Sequence, residues 1–392
     1  MAEDRAPRKA EPAPIRATVA GTRLELIETG RGRLDALLDL IRGAERSVRL
    51  LFYIFVGDSA GTAVRDALVE AARRGVRVHV LLDGYGCSKM GPGFFKGLDE
   101  LGGKFCLFNP AYGRRYLVRN HQKLAIADER RALIGGANVE ECYLIDEGPQ
   151  HWRDLWLAID GPAVAGAADY FDALYRWTGR KGAKLKSLRR LVARFSDRQG
   201  PLQWHFSAPL SIRTPWPAIF ARDLAEATRV DMIHAYFSAP RSMLRRLARV
   251  AGRGRVRVIT AGKSDIKATI GAARHNYSRM LRRGVEMYEY QPAMLHTKLA
   301  IVDDAVHIGS PNFDFRSLYI NLEVSFRIAD TAFAAAMRGY FERELADSIR
   351  ITPELHRKRA SPWRRFKWMV AHWLITSMDY TVTRRLNLNL ER

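Results

Sequence analysis

The sequence predicts an α/β protein made of two pseudo-symmetric α-β-α sandwich domains, each a mixed β-sheet flanked by helices. Three observations carry that expectation. The chain has 392 residues, enough for two ordinary domains or one large duplicated one. A strand-helix-strand pattern that begins near Ser47 returns near Val230. Each copy is then followed by the same short segment, a histidine and a lysine two residues apart on an apolar run.

Taken in chain order, "MAEDRAPRKAEPAPIRATVAG" is charged, rich in Pro and Ala and lacks an apolar h-region. Residues 1–20 therefore read as a disordered tail rather than a signal peptide. Residues 21–179 read as the first domain. "SVRLLFYIF" (Ser47 to Phe55) is β-branched and aromatic, "AGTAVRDALVEAARRG" has helical spacing and stops at Gly75, and "VRVHVLLD" alternates as a strand does. The second domain, residues 216–350, repeats the order in "RVDMIHAYFSAPRSMLRRLARVAGRGRVRVITAG". "KFCLFNP" ending at Pro110 answers "VEMYEYQP" ending at Pro292, and "RDLWLAID" (Arg153 to Asp160) answers "LEVSFRIAD" (Leu322 to Asp330). Between the halves, residues 180–215 read as a linker, basic first and Pro-punctuated later. Within it Leu185, Leu188, Val192 and Phe195 recur at helical spacing. The first half also carries an insertion, "AYGRRYLVRN", between Pro110 and His121, a candidate substrate-facing loop.

Lys and Arg outnumber Asp and Glu to give a net charge of +22, which favours anionic partners: nucleic acid, phosphorylated metabolites or an acidic membrane surface. Three cysteines, Cys87, Cys106 and Cys142, are widely spaced with no CxxC pair. That argues against a disulfide framework or a zinc ribbon and fits a reducing cytoplasm. No run reaches the ~18 to 20 uninterrupted apolar residues that a membrane span needs. The tail, residues 351–392, places Phe366, Met369, Val370, Trp373 and Leu374 on one helical face behind Arg364, Arg365 and Lys367. Such a helix suits a bilayer interface with anionic lipid; the alternative is a C-terminal helix docked on the domain.

The chemistry resides in the paired segments "HQKLAIADERRALIGGAN" at His121 and "HTKLAIVDDAVHIGSPN" at His296. Strand alternation puts His121 and Lys123 on one face with Asp128 on the other, and separates His296 and Lys298 from Asp303 in the same way. An imidazole and an ammonium on one surface suit an anionic phosphoryl group, so Asp128 and Asp303 are expected to stabilise the hairpins. Asn138, Ser310 and Asn312 offer hydrogen-bond donors to phosphoryl oxygens. A lysine beside each histidine would repel a cation, so no metal is expected.

Two copies of His-x-Lys-x4-Asp followed by Gly-Gly/Ser-x-Asn resemble the HKD motifs of the phospholipase D superfamily. "YIF", "QHWRDLWLAIDGPAV" and "NFDFRSLYINLEVS" resemble bacterial cardiolipin synthases, from about residue 23 to 350. The resemblance implies an active site at the domain interface, with His121, Lys123, Asp128, His296, Lys298 and Asp303 as its catalytic motif residues. It implies cofactor-independent phosphatidyl transfer in which one histidine attacks phosphorus and the other serves as acid and base, through a phosphohistidine. By analogy His121 is the nucleophile and His296 the acid/base. Glu323 matches a family glutamate that orients the histidine, and Asp154 is the corresponding carboxylate of the first half. Gly136 departs from the usual serine of the first motif, which removes one hydroxyl contact, and the second hairpin is one residue shorter than the first.

Together with the basic amphipathic tail, these strings predict a peripheral enzyme on the cytoplasmic face of a bacterial cell membrane. It would convert two phosphatidylglycerols into cardiolipin and glycerol, with phosphatidylethanolamine as a possible other donor. The competing readings are a phospholipase D-type hydrolase or nuclease with water as acceptor, and a silent nucleic-acid-binding module. Intact histidines and lysines argue against the last, and no aromatic-basic single-strand platform is recognisable, so no nucleic-acid partner is expected.

Overall fold

The computed structural model describes residues 13–108, 118–148, 151–209 and 214–377. The first half contains β1 (Arg16–Val19), β2 (Thr22–Ile27), α1 (Gly30–Arg42), β3 (Ser47–Phe52), α2 (Ser59–Arg73), β4 (Arg77–Asp83), α3 (Lys96–Asp99) and β5 (Lys104–Phe108). It continues through β6 (Leu124–Ala127), β7 (Arg131–Gly135), α4 (Glu141–Leu144), β8 (Trp152–Arg153), β9 (Trp156–Asp160) and α5 (Ala165–Thr178). Eight strands form one sheet in the order β1-β2-β9-β7-β6-β3-β4-β5, with β3, β4 and β5 parallel and the others antiparallel. The interior strand β3 is buried along its whole length, its apolar residues on both faces and its Arg49 paired with Asp172 of α5. Thr29 and Asp58 cap α1 and α2 by accepting from Gly32 and Gly61 backbone N–H groups. α2 ends before Gly75, whose φ of +85° continues no helix.

The second half follows α6 (Leu185–Phe195) and begins with β10 (Leu202–Ser207), α7 (Pro215–Glu226), β11 (Arg229–His234), β12 (Phe237–Ser238), α8 (Arg241–Ala251) and β13 (Arg255–Ala261). Then come α9 (Lys267–Leu281), β14 (Glu286–Tyr290), β15 (Met294–Leu295), β16 (Lys298–Val302), β17 (Ala305–Gly309), β18 (Phe313–Asp314), α10 (Phe315–Tyr319) and β19 (Glu323–Ala329). The chain closes with α11 (Thr331–Ala346), β20 (Ser348–Ile351), α12 (Pro353–Arg359) and α13 (Pro362–Ser377). Its sheet has the order β10-β19-β17-β16-β11-β13-β14-β20. Strand for strand, β10-β19-β17-β16-β11-β13-β14 repeats β2-β9-β7-β6-β3-β4-β5, so the expected duplication is present in the topology.

The two sheets share a core. Ile134, Leu157 and Ile159 of one, Ile308, Val324 and Phe326 of the other, and Phe171, Leu174, Met337 and Phe341 of α5 and α11 form one buried cluster. The outer sheet faces are covered by α1 and α2 on one side and by α7, α8 and α9 on the other. Each buried leucine, isoleucine or phenylalanine side chain contributes roughly 1.5–3 kcal/mol.

Two expected boundaries need correction, and in the tail the docked alternative is the one present. β1 lies within residues 1–20, because "RATV" hydrogen-bonds to β2 and shields Val19 despite its Pro- and Ala-rich approach. The 180–215 segment is more than a linker: α6 packs Leu188 and Val192 into the shared core, and β10 is the first strand of the second sheet. In the 351–392 tail, α13 docks on α9 through Trp368, Ala371 and Ile375. The expected single apolar face is divided: Phe366, Met369 and Trp373 are exposed, Val370 is half-buried and Leu374 is buried. Most of the "AYGRRYLVRN" insertion lies outside the described residues, which resume at Val118.

Candidate active site

The halves are stitched together by two short parallel backbone contacts, and these place the reactive groups. β8 pairs with β15, Met294 opposite Trp152 and Leu295 opposite Arg153, and the next amide, His296 N–H, donates to Arg153 C=O at 2.8 Å. The residue after Arg153 is Asp154. At the mirror position Asn120 bridges Leu322 and His121 N–H donates to Leu322 C=O at 2.9 Å. The residue after Leu322 is Glu323. Backbone register thus delivers each histidine to a carboxylate of the opposite half.

The side chains complete the crossing. His121 Nδ1 lies 3.0 Å from Glu323 Oε2, and His296 Nδ1 lies 2.7 Å from Asp154 Oδ2. Both carboxylates are fully buried. With each Nδ1 engaged, each Nε2 is the free ring nitrogen, and both imidazoles line one cavity of about 320 Å³. Tyr53, Asn138, Tyr143, Trp152, Tyr236 and Asn312 also face it.

Burial pushes both histidines below their ordinary value; the neighbouring lysines push the same way, while Glu323 and Asp154 oppose them. Burial likewise carries Lys123 down to about 7 and Lys298 to about 8. Burial works against both carboxylates, yet His121 and Lys123 hold Glu323, and Lys298 and His296 hold Asp154, below the usual range. Each lysine is anchored by donating to the C=O of its own histidine, Lys123 at 2.6 Å and Lys298 in the same manner. Neither ammonium lines the cavity wall directly.

The structure distributes the remaining expected residues unevenly. Asn138 is held by Ile54 N–H, which donates to its Oδ1 at 3.2 Å, and so presents its amide N–H₂. Asn312 donates its backbone N–H to Ser317 Oγ. Ser310 does not face the cavity: its hydroxyl donates to Glu323 Oε2 at 2.5 Å and its Oγ accepts from Val324 N–H, so it fixes a carboxylate rather than a phosphate. Glu323 and Asp154 hold histidines and do not themselves reach the cavity. Asp128 and Asp303, counted in the catalytic motif by resemblance, lie away from the site. Asp128 accepts from the backbone of Glu45, Arg46 and Ser47, and Asp303 from Thr228 and Arg229. Both occupy left-handed backbone positions, φ +53° and +44°, which aspartate tolerates in turns. Both clasp their hairpins, although not by strand alternation: His121 and Lys123 precede β6, His296 precedes β16, and each aspartate sits in the turn beyond the strand.

Several supporting residues escaped the sequence reading. Asp83, at the end of β4, accepts from Tyr85 and Gly86 N–H with one oxygen and from Asn120 N–H with the other, anchoring the residue before His121. Arg33, buried in α1, donates to Tyr143 C=O and to Asp154 C=O at 2.6 Å, fixing the backbone behind the second pair. A lone arginine on a helix face offers no local signal of that role. Gly136 has a steric reason: a Cβ there would lie 2.6 and 2.7 Å from the Asp154 carboxylate oxygens and 2.7 Å from Lys298 Cδ. Among the described residues no cluster of three or more His, Cys, Asp or Glu side chains is arranged to hold a metal ion.

A duplicated α/β fold with two His-x-Lys segments converging on one cavity defines the phospholipase D-like class. Residues 37–174 and 221–345 match the family described as "Cardiolipin synthase, PLD-like domain", and the chain belongs to that family and is an enzyme of phosphatidyl transfer. It is 29% identical over 367 residues to cardiolipin synthase B of Salmonella typhimurium, covering 90% of this chain and 88% of that protein. It is 31% identical over 368 residues to the major cardiolipin synthase ClsA of Bacillus subtilis, covering 90% and 74%. In fold it is similar to the phosphatidylserine synthase of Haemophilus influenzae, with a TM-score of 0.71 at 13% identity, covering 95% and 96% of the two chains.

Proposed function

We propose that the chain is a cardiolipin synthase that transfers a phosphatidyl group from one phosphatidylglycerol to another. The observation that carries this reading is the crossed arrangement in which His121 and His296, each held through Nδ1 by a carboxylate of the other half, turn both Nε2 atoms into one cavity. His121 Nε2 attacks the phosphorus of the first lipid while protonated His296 delivers its proton to the departing glycerol oxygen. The phosphorus–oxygen bond breaks and a phosphatidyl-histidine forms. His296, now neutral, takes the proton from a glycerol hydroxyl of the second lipid, whose oxygen displaces His121 and gives cardiolipin.

The resting protein keeps both imidazoles and both lysines below their ordinary values, so it is poised for an anion. A phosphodiester between the histidines adds negative charge that favours the ammonium forms of Lys123 and Lys298 and the imidazolium of His296. Each ammonium is anchored on its histidine C=O just behind the cavity wall, so its contribution to the phosphodiester is the field of a buried positive charge. Asn138 and Asn312 add neutral donors for the pentavalent transition state. The name of the relatives supports cardiolipin as the product, phosphatidylglycerol is the donor we propose, and water as acceptor is the second reading.

The test supplies purified protein with phosphatidylglycerol vesicles free of divalent metal. Cardiolipin and glycerol are expected in equal amounts; phosphatidic acid in place of cardiolipin would make the protein a hydrolase. His121→Ala and His296→Ala should each abolish product, and substantial residual activity in either would defeat the shared-site mechanism.

A further inference from the structure

Among the described residues six large hydrophobic side chains are exposed, and four of them, Trp363, Phe366, Met369 and Trp373, lie on α13. Trp363 is 64% and Trp373 60% exposed. Their spacing puts them along one side of the helix. The Trp363 and Phe366 rings stack at 5.6 Å, and Lys367 Nζ sits 5.4 Å from the Trp363 ring. The opposite side is committed to the protein. Trp368, Ala371 and Ile375 are buried, and α9 meets them with Ala268, Gly271 and Ala272. A Cβ at Gly271 would be 3.1 Å from Ala371 Cβ, so the two helices touch almost backbone to backbone.

That seam connects α13 to the active site. α9 begins at Lys267, directly after Asp265 and Ile266, which line the cavity, and Ile266 packs on the Ala268, Ala272, Ala371 and Ile375 cluster. The exposed face and the cavity rim are therefore joined through α9. Charge selects the occupant. From Pro353 to Ser377 the chain carries Arg357, Lys358, Arg359, Arg364, Arg365 and Lys367 against Glu354 alone. A second copy would set this basic segment against itself, whereas tryptophans interleaved with arginine and lysine suit the headgroup region of an anionic bilayer.

We infer that α13 is a docking helix that lays the Trp363, Phe366, Met369 and Trp373 face into an anionic lipid surface and brings the rim at Asp265 and Ile266 to the headgroups. The inference rests on the phospholipid reading of the site, but docking is measured without turnover. The Trp363→Ser/Phe366→Ser/Trp373→Ser variant alters only exposed groups, so its thermal midpoint should match the parent.

In co-sedimentation, the parent should bind phosphatidylglycerol vesicles far better than phosphatidylcholine vesicles, and the triple variant should bind the former at least about tenfold more weakly. Arg364→Gln/Arg365→Gln/Lys367→Gln should weaken binding and flatten its salt dependence. Turnover of vesicle phosphatidylglycerol should fall with binding, while turnover of a short-chain phosphatidylglycerol held monomeric should stay within about twofold, since no altered residue lines the cavity. Unchanged vesicle binding in the triple variant would overturn the inference. So would an equal loss on monomeric lipid, or a change from oligomer to monomer with vesicle binding intact. Vesicle binding that depends on α13 without cardiolipin formation would leave docking standing and refute the proposed reaction instead.

Discussion

Replacing Asp154 by asparagine removes one charge from the interior and leaves the shape in place. The carboxylate accepts from His296 Nδ1 at 2.7 Å, lies 4.0 Å from Lys298 Nζ, and also accepts from Leu155 N–H at 2.8 Å. At an effective dielectric near 20, an ion pair at 4 Å is worth about 4 kcal/mol, so Asp154→Asn withdraws support from Lys298 and the His296 imidazolium together. An amide in place of a carboxylate that orients a catalytic histidine costs on the order of 10⁴-fold in turnover. Glu323→Gln should be comparably severe, but at the other histidine. The assay is initial-rate cardiolipin formation, with single-turnover mixing and an alkaline quench to preserve phosphohistidine. With His121 as nucleophile, Glu323→Gln should form little phosphoenzyme, whereas Asp154→Asn should accumulate a larger share relative to its product, because deprotonation of the second alcohol is crippled. Activity of either variant within tenfold of the parent, at an unchanged thermal midpoint, would refute the crossed-pair reasoning. Accumulation in Glu323→Gln instead would exchange the roles of the two histidines.

Gly136→Ser, which restores the residue usual in the first motif, should lower activity at least tenfold, because its Cβ must displace a pinned Asp154 carboxylate; an active serine variant would show that the carboxylate yields freely. Asp128→Ala should reduce stability by about 1–3 kcal/mol through three orphaned backbone N–H groups and leave the turnover of folded protein near the parent's, as denaturant melts and active-site-normalised rates can check. The pH profile of kcat/KM should be a bell. A depressed histidine stays neutral until pH falls through its folded value, about 4 for His121, so the acid limb should lie well below an ordinary histidine's. The alkaline limb reports loss of the proton from the essential acid His296, which burial and Lys298 make easier, with the lysine protons following near 7 to 8, and an acid limb at about 6.5 would show that burial does not control His121.

What the sequence disclosed was whatever local pattern can carry. The β-α-β repeat and the paired His-x-Lys segments follow from periods of 3.6 and 2 and from comparing the halves, whereas the place of Asp128 and Asp303 is set by turns beyond the strands. What stayed hidden depends on register between distant segments. Nothing local says that His121 meets Glu323 rather than Asp154; the Asn120–Leu322 and β8–β15 contacts decide it. Ser310 looked like a phosphate donor because small hydroxyl residues in a glycine turn usually face ligands, but Glu323 takes its hydroxyl. β10 hid in a Pro-punctuated stretch because its partner β19 lies far along the chain.

The departures from symmetry bear on which histidine does what. His121 has Tyr53 beside it at 5.0 Å, and its carboxylate is doubly held, by Ser310 Oγ and by Asn321 Nδ2 at 3.3 Å. That arrangement suits a nucleophile whose aim must not vary. His296 has the shorter carboxylate, Gly136 in place of a hydroxyl, and three aromatic rings around it: Tyr143 at 5.0 Å, Trp152 at 5.3 Å and Tyr236 at 6.1 Å. These rings meet the imidazole at steep angles of 63°, 83° and 84° and enclose it in an apolar wall, consistent with the burial that depresses it. In the resting protein burial and Lys298 still depress His296, to about 3, at least as far as His121, so its role as the proton-holding partner requires the charge of a bound phosphodiester, and the two phosphoenzyme experiments decide the order that the motif resemblance implied.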